Sequence, residues 1–443
     1  MNASATAGFA AQRALIPALY GGGIPALSAL RERAHAAFLE RGVPTSGEDE
    51  WRYADLEVLT QTPHEVAHAV GLAGSRERAL LEYLLGGFAP GRMVFVNGAY
   101  APAVSEPATH AAGITFQPLA AAAALHGELV TRHLGKSLAA ELHPLAALNT
   151  ALHRDGLFLH CAGTQRPEAP FHGAFLAAGD DKPRAIHPRA LVVLEEGAAA
   201  TLILSFQGSG QVFVNPAVEV TLGRDAVLNL ILLQEESSAT THTLALHASL
   251  ASGAHCHVHA ASLGGRFART EVHAHLADRH AEFQLDALLI GGHEQAHDLT
   301  ARIHHDARDT KSRQALKAVL DGSSRGAFSG RVEVSPGADG THAEQSCRSL
   351  ILSPDAAMNT RPELVIHADD VRCAHGATYG QLDPEALFYL RSRGIDLPEA
   401  RRLLTRAFAD EIIDRFPLES VRRHLHARVD GRIARPDETG VPA

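Results

Sequence analysis

Cys373 and His375 stand two residues apart in the stretch ADDVRCAHGATYG, residues 368–380. Side chains at positions i and i+2 of an extended strand project from the same face, so this thiol and this imidazole would face the same way. Thiolate and imidazole are the protein ligands of iron–sulfur clusters, and a thiolate also accepts sulfur. One cysteine and one histidine cannot complete the coordination of a metal. A site here would therefore be shared with a partner or hold a transient species; the alternative is a buried thiol beside a capping histidine.

The other cysteines, Cys161, Cys256 and Cys347, are widely scattered, and the chain has no CxxC pair. In a chain of 443 residues this pattern indicates free thiols in a reducing compartment rather than a disulfide framework. The first residues also lack the charged segment that precedes the apolar part of a secretory signal. We therefore expect a cytoplasmic protein.

A second motif, HEQAH at residues 293–297, matches the H-E-x-x-H signature of zinc hydrolases. The signature binds zinc only on a helix, where histidines at i and i+4 share a face. Here a Gly-Gly pair precedes it and an alternating apolar run follows, which indicates a polar turn between two strands. A zinc-dependent hydrolase using this motif is kept as an alternative function.

Three histidines, His255, His257 and His259, alternate along one predicted strand, and histidines in this pattern can bind a metal. The register of the strand places them on its outward face, which we expect to be solvated. Cys256 lies between them and is expected to point into the core.

Gly135-Lys136-Ser137 resembles the end of a phosphate-binding loop. The first glycine of that motif would fall at position 130, which is Val130, and no buried strand precedes it. We expect no nucleotide to bind this chain.

The composition is that of an ordinary globular protein, with 46% hydrophobic and 20% charged residues. A formal charge of −10 argues against nucleic acid or an anionic membrane as partner, since either favours a basic surface. No uncharged apolar run approaches the roughly 18 residues that a membrane span needs.

The middle of the chain contains a repeat that would position the thiol and the imidazole. Four turns each end in an alanine, at Ala198, Ala226, Ala254 and Ala281, which are 28, 28 and 27 residues apart. After each alanine, positions +2, +4 and +6 are apolar and the positions between them are mostly polar. Each repeat therefore predicts a strand with one face in the core and the other face outward.

Strands that recur every 27 or 28 residues without intervening helices favour a β-solenoid, in which each coil buries its inner face against the next. A β-sandwich stays open, because hairpins also alternate, although it would not need so even a period. We predict a mainly β protein with this division: an N-terminal mostly helical domain over 1–150, a β-helix core over 151–380, a C-terminal helical domain over 381–430 and a disordered tail over 431–443.

The C-terminal region is predicted to form two helices separated at Arg393-Gly394. In the second helix, apolar residues recur at helical spacing and form one stripe, which could cap the solenoid or offer a groove to a partner. The residues of this stripe are Ala400, Leu403, Leu404, Ala407, Phe408, Ile412 and Phe416.

Residues 345–413 closely resemble the SufB/SufD family of iron–sulfur cluster assembly scaffold proteins. Weaker matches lie at 316–334, 143–156 and 42–59, in the order of the family. The sequence His-Gly-Ala-Thr that begins at His375 resembles the SufD branch, since SufB-like chains typically carry His-Glu-Ala-Thr at this point.

This resemblance implies a right-handed parallel β-helix, with helical segments at both ends, in a non-catalytic scaffold subunit. It implies a heterodimer with a SufB-like subunit through the β-helix, and docking of a SufC-like ATPase on the C-terminal helices. The stripe from Ala400 to Phe416 would form that docking surface.

In the family a SufD-type histidine contributes to a transient iron–sulfur cluster at the interface with SufB, and it corresponds to His375, which would hold iron transiently. Cys373 corresponds to the adjacent family cysteine. Flavin binding in the assembled complex and a homodimer in the absence of SufB stay open. A purely structural solenoid subunit, in which Cys373 and His375 are dispensable, is the second alternative.

Overall fold

The computed structural model describes residues 2–15, 24–54, 56–67, 87–106, 112–138 and 143–433. Its α-helices are α1 (Asn2–Ala11), α2 (Pro25–Arg41), α3 (Glu57–Gln61), α4 (Leu119–Leu125), α5 (Gly127–His133), α6 (Pro144–Leu152), α7 (Pro384–Ser392), α8 (Leu397–Ile413) and α9 (Glu419–Ile433). Short 3-10 helices cover Gln12–Leu15, Asp49–Trp51 and Pro102–Val104.

The strands lie mainly between α6 and α7. They are β1 (Glu65–Val66), β2 (Arg92–Val96), β3 (Ala99–Tyr100), β4 (Ile114–Pro118), β5 (Gly156–Cys161), β6 (Phe171–Ala178), β7 (Arg184–Ile186), β8 (Arg189–Leu194), β9 (Ala199–Ser209), β10 (Val212–Val214), β11 (Ala217–Leu222), β12 (Val227–Gln234), β13 (Thr241–Leu250), β14 (His255–Ser262), β15 (Phe267–Leu276), β16 (Glu282–Gly291), β17 (Ala296–His305), β18 (Lys311–Leu320), β19 (Arg325–Val334), β20 (Thr341–Ile351), β21 (Ala357–Ile366) and β22 (Val371–Gly380).

Successive strands of this region alternate between two sheets. One sheet has the order β21-β19-β17-β15-β13-β11-β8-β5-β4, and the other has the order β22-β20-β18-β16-β14-β12-β9-β6-β2-β3. From β5 and β6 onward, each strand pairs in parallel with the equivalent strand of the next coil. The core is therefore a parallel β-solenoid of about eight coils. The predicted solenoid is confirmed, and the β-sandwich alternative is wrong because hairpins would have paired antiparallel.

The predicted register is also confirmed. Ala199 pairs with Val227, Val227 with His255, and His255 with Glu282, so the residues that follow the four turn alanines stack coil on coil. The apolar positions of these strands line one continuous core. The turns stack as well: the Gly253 N–H donates to the carbonyl oxygen of Arg279 in the next coil. Gly253 has a φ of 66°, a left-handed conformation that glycine adopts without steric strain because it has no Cβ.

Helices pack on the outer faces of both sheets. The N-terminal helices pack on the first sheet, where the Arg269 guanidinium lies 4.1 Å from the ring centroid of Trp51. Helices α8 and α9 pack on the second sheet. Ile412, Phe416 and Leu425 belong to the same hydrophobic cluster as the outward-facing apolar side chains of that sheet. Helices thus shelter part of the outer face of each sheet, while the strands at the β21 and β22 end stay largely exposed.

The C-terminal region differs from the sequence prediction in its extent. Helix α8 begins as expected, with Pro398 in its first turn and the Asp396 side chain accepting a hydrogen bond from the Glu399 N–H. A third helix, α9, follows and continues to Ile433. The first residues of the predicted disordered tail, 431–433, therefore belong to a helix, and 434–443 lie outside the described residues. In the described part of the chain, no helix combines the length and apolarity that a bilayer span requires.

Candidate functional site

Cys373 and His375 lie on β22, the last strand of the solenoid. Cys373 pairs with Ala343 of β20, and His375 pairs with Gln345. Ala343 and Gln345 are buried on the inner face of their coil, so the register turns Cys373 and His375 toward the solenoid interior. Cys373 is half-buried against the core, and His375 is exposed. The thiol and the imidazole therefore occupy the inner face of a coil that no other described coil covers.

The end of the solenoid at β21 and β22 is open among the described residues. Each of these strands stands first in the strand order of its sheet, with one paired edge and one free edge. Neither strand contains a fully buried residue. Met358, Leu364 and Val371 pack against the core from this end while staying partly exposed. Free strand edges over an apolar core are a surface that another protein can complete.

Solvent access separates Cys373 from the other three cysteines. Burial raises the pKa of Cys161 and Cys347 to about 11 and that of Cys256 to about 12, so their thiols stay protonated in the core. Burial also raises the pKa of Cys373, although a hydrogen bond with the Ala343 backbone opposes this. Its half-buried position leaves it open to a metal or a base, either of which favours the thiolate.

A polar row inside the solenoid leads to His375. Gln314 on β18 is in register with Gln345 on β20, which is in register with His375. Both glutamines are buried, and neither side-chain amide has a hydrogen-bond partner among the described residues. The sequence could have revealed this polar row, because Gln314 and Gln345 occupy an inward position that is apolar in the preceding coils.

The HEQAH motif does not have the geometry of a zinc hydrolase. His293 lies in the turn after β16 with a φ of 53°, whereas His297 lies on β17 and is buried. The His297 Nδ1 is 2.8 Å from the Ser262 Oγ. The two histidines do not share a helix face, and the predicted polar turn between two strands is confirmed.

The expectation of a solvated face around His255, His257 and His259 was wrong in part. The three residues face outward and Cys256 faces inward, as predicted, but of the three only His255 is exposed. His259 is buried, with its ring centroid 5.1 Å from that of Phe416. The reason is that the C-terminal helices cover this face, which the strand pattern alone does not reveal.

The amides that resemble a phosphate-binding loop hold an internal anion. The Glu219 carboxylate accepts hydrogen bonds from the N–H groups of Gly135 (2.7 Å), Lys136 (3.1 Å) and Ser137 (3.3 Å). Glu219 also pairs with Arg189, and both side chains are fully buried. The loop therefore binds a carboxylate of its own chain.

The apolar stripe of α8 has two environments. Ala400, Ile412 and Phe416 are buried and pack within the chain, although Phe416 lies beyond the end of α8 at Ile413 and not on the helix as predicted. Leu403, Leu404 and Phe408 are half-buried, and Ala407 is exposed. The first three stabilise the packing of the C-terminal helices. Only the other four are available to form the predicted docking surface for a SufC-like ATPase.

The fold and the site define a class of protein: a β-solenoid scaffold, helical at both ends, that presents a thiol and an imidazole at an open coil. A family model for the core domain of SufBD proteins of the SUF system of FeS cluster assembly matches residues 175–408, and one for the SufBD N-terminal region matches residues 9–171. The chain belongs to the SufBD family of iron–sulfur cluster assembly proteins.

Relatives match along most of the chain. An iron–sulfur cluster assembly SufBD family protein of Synechocystis is 30% identical over 400 residues, which cover 88% of this chain and 87% of the relative. The iron–sulfur cluster assembly protein SufD of Escherichia coli is 29% identical, with 89% and 90% covered, and SufD of Bacillus subtilis is 27% identical, with 72% and 74% covered. These matches place the chain in iron–sulfur cluster assembly.

Proposed function

We propose that this chain is a SufD-like subunit that pairs with a SufB-like subunit through the open end of its solenoid. The single observation that carries this proposal is the position of Cys373 and His375 on the uncovered inner face of β22. A partner that continues the two sheets would cover the free edges of β21 and β22 and the partly exposed apolar end. It would then face the thiol and the imidazole directly.

The surface beside this end has the composition of a binding site. Tyr379, on β22, is 82% exposed, and Ile366, at the end of β21, is 40% exposed. Large apolar and aromatic side chains at the surface are enriched in protein interfaces, because their burial contributes most of the binding free energy. Pairing through this end buries them together with Met358 and Leu364.

The nascent iron–sulfur cluster is the cargo of this interface. His375 supplies one imidazole to iron, and the partner supplies the thiolates that receive sulfur, since this chain has one accessible thiol. Cys373 lies two residues from His375 and is a second potential ligand. The cluster then has ligands from both subunits, and it can leave when the interface between them shifts.

The motion that shifts the interface comes from a SufC-like ATPase. It docks on the C-terminal helices through Leu403, Leu404, Ala407 and Phe408. ATP-driven dimerisation of two such ATPases, one on each subunit, pulls on the helices and strains the joint between the solenoids. An ATPase in a separate subunit fits a chain whose phosphate-loop-like segment already uses its amides to bind the Glu219 carboxylate. We place the complex in the cytoplasm.

Co-expression with SufB-like and SufC-like subunits of the same system tests the proposal. A tag on this chain should retain both partners, and anaerobic reconstitution of the complex with iron and sulfide should give the absorption of an iron–sulfur cluster. The complex without this chain should form far less cluster. A chain that retains neither partner contradicts the proposal. Size exclusion of the chain alone tests homodimer formation, and the absorption spectrum of the purified complex tests for flavin.

A further inference from the structure

Three histidines meet where the N-terminal region packs on the first sheet. His247 on β13 and His273 on β15 are in register, and their rings stack with centroids 4.4 Å apart and an angle of 9° between planes. His143, immediately before α6, packs edge-on against both, with centroid distances of 4.7 and 4.4 Å. Each of the three rings offers one nitrogen, and these nitrogens lie within 4.8 Å of one another.

His247 is held in the form that binds a metal. It is 6% exposed, and its Nδ1 lies 3.0 Å from the carbonyl oxygen of Ser137. A carbonyl only accepts, so the Nδ1 carries the proton and donates it. The Nε2 therefore keeps its lone pair, and this buried atom has no hydrogen-bond partner among the described residues. A buried acceptor without a partner is costly, and a cation would satisfy it.

Glu271 gives the other two rings the partner that metal-binding histidines commonly have. Its Oε1 lies 3.2 Å from the His143 Nδ1 and 2.9 Å from the His273 Nε2. Burial tends to raise the pKa of Glu271, but hydrogen bonds from both histidines and the charge of Arg269 lower it well below its usual range. These two contacts orient the imidazoles of His143 and His273, and the carboxylate would offset the charge of a cation.

The site has an entrance. A pocket of about 430 Å³ opens beside the three rings and is lined further by Lys136, Ser249 and His304. It gives a path for an ion and room for an exchangeable fourth ligand.

A second histidine cluster on the opposite sheet is less suited to a cation. His257 and His259 lie near Asp286, whose oxygens are also 3.1 Å from Arg313 and 2.9 Å from Arg415. The carboxylate is already neutralised by two guanidinium groups, whose charges would repel a metal ion. In the cluster around His247, Arg269 near the carboxylate also pairs with Asp298, and Arg302, which is in register with His273, pairs with Glu50.

We propose that His143, His247 and His273 bind one divalent first-row cation of the Zn²⁺ or Co²⁺ type, which joins the start of α6 to the solenoid. Three imidazoles suit these borderline ions. Metal–nitrogen bonds of about 2.0–2.1 Å place tetrahedral ligand atoms about 3.3 Å apart, so the three nitrogens close by at most about 1.5 Å on binding. This site is separate from the open end of the solenoid and does not depend on the proposed function.

Titration of the metal-free full-length chain with Co²⁺ tests the site. We expect one equivalent of Co²⁺ to bind and to give the visible d–d absorption typical of a low-coordinate cobalt site. Zn²⁺ should displace the bound Co²⁺. His247→Ala and His143→Ala should each weaken binding at least tenfold, whereas His342→Ala, at an exposed histidine of β20, should leave it unchanged. His143 is only partly buried, so its variant is the one best able to fold, and circular dichroism verifies this.

Thermal unfolding gives an independent readout. Zn²⁺ should raise the melting temperature of the parent chain and of His342→Ala, and it should not raise that of His143→Ala, because a ligand stabilises only the state that binds it. An absence of cobalt bands, bands unaffected in both His143→Ala and His247→Ala, or bands lost only in His257→Ala would overturn the assignment.

Discussion

His375 lies one coil beyond Gln345 in the same inward row of the solenoid, and no strand of the described chain pairs with its outer edge. The same side chain would be a buried core position if the solenoid had one more coil. A ligand on the inner face of an open coil is completed by whatever covers the coil, so the proposed role of His375 depends on this position.

Leu364→Asp should weaken the pairing with the SufB-like subunit. Leu364 is partly buried at the open end, and a carboxylate there would have to be desolvated in the interface. We expect the dissociation constant to rise at least tenfold, about 1.4 kcal/mol. Leu125→Asp, at a leucine of α4 that is 72% exposed, is the matched control and should pair normally. Equal affinities of the two variants in a pull-down titration would place the interface elsewhere.

Ala407→Glu should release the SufC-like ATPase while the SufB-like subunit stays bound. Ala407 is exposed among the half-buried residues of the α8 stripe, so a charge there disturbs a docked partner without disturbing the fold. Ala427→Glu is the control, since Ala427 is an exposed alanine on α9. Purification of the three-component complex measures the ATPase retained. If both variants retain it, the stripe is not the docking surface.

Glu219→Ala should destabilise the joint between the N-terminal region and the solenoid. The substitution leaves the Arg189 guanidinium buried without its carboxylate and removes the acceptor of the amides from Gly135 to Ser137. Breaking a buried ion pair in this way costs about 3–5 kcal/mol of unfolding free energy. Arg279→Ala, which breaks a surface pair with Asp309, should cost at most about 1 kcal/mol. Urea unfolding compares them, and similar losses would show that burial does not determine the cost.

Stability should fall as the pH drops below about 6.5. Burial lowers the pKa of His172, His187 and His297 to about 3, whereas they titrate near 6.5 when unfolded. Between these values the unfolded chain binds more protons, so each histidine removes up to about 1.4 kcal/mol per pH unit.

His297→Asn should therefore flatten the loss of unfolding free energy between pH 7 and pH 5. His293→Asn is the control from the same motif, because His293 is exposed and asparagine tolerates its positive φ. Unfolding by urea at several pH values measures the slope. An unchanged slope in His297→Asn would mean that this histidine is not buried neutral.

Much of the solenoid could be predicted from the sequence for two reasons. The alternation of apolar and polar residues identifies the inner face of each strand, and the period of the repeat gives the length of each coil. The turn alanines fixed the pairing of Ala199, Val227 and His255 in advance. The surroundings of His259 could not be predicted, since its burial results from Phe416, more than 150 residues away in sequence.

The two sites that contain histidines also differ in how far the sequence predicts them. Cys373 and His375 are neighbours in sequence and could be singled out together, but the openness of their coil emerges only from the strand order. His143, His247 and His273 have no shared motif, and only the packing of α6 on β13 and β15 brings them together.

Replacement of His375 by alanine in the assembled complex tests the central claim most directly. His367→Ala is the control, because His367 is an exposed histidine at the same open end. Both variants should retain the SufB-like and SufC-like subunits, and anaerobic reconstitution should then measure iron, sulfide and cluster absorption per complex. We predict that His375→Ala loses most of the cluster while His367→Ala forms it normally. Full cluster yield from His375→Ala would contradict the account and leave the chain a structural partner without a ligand role.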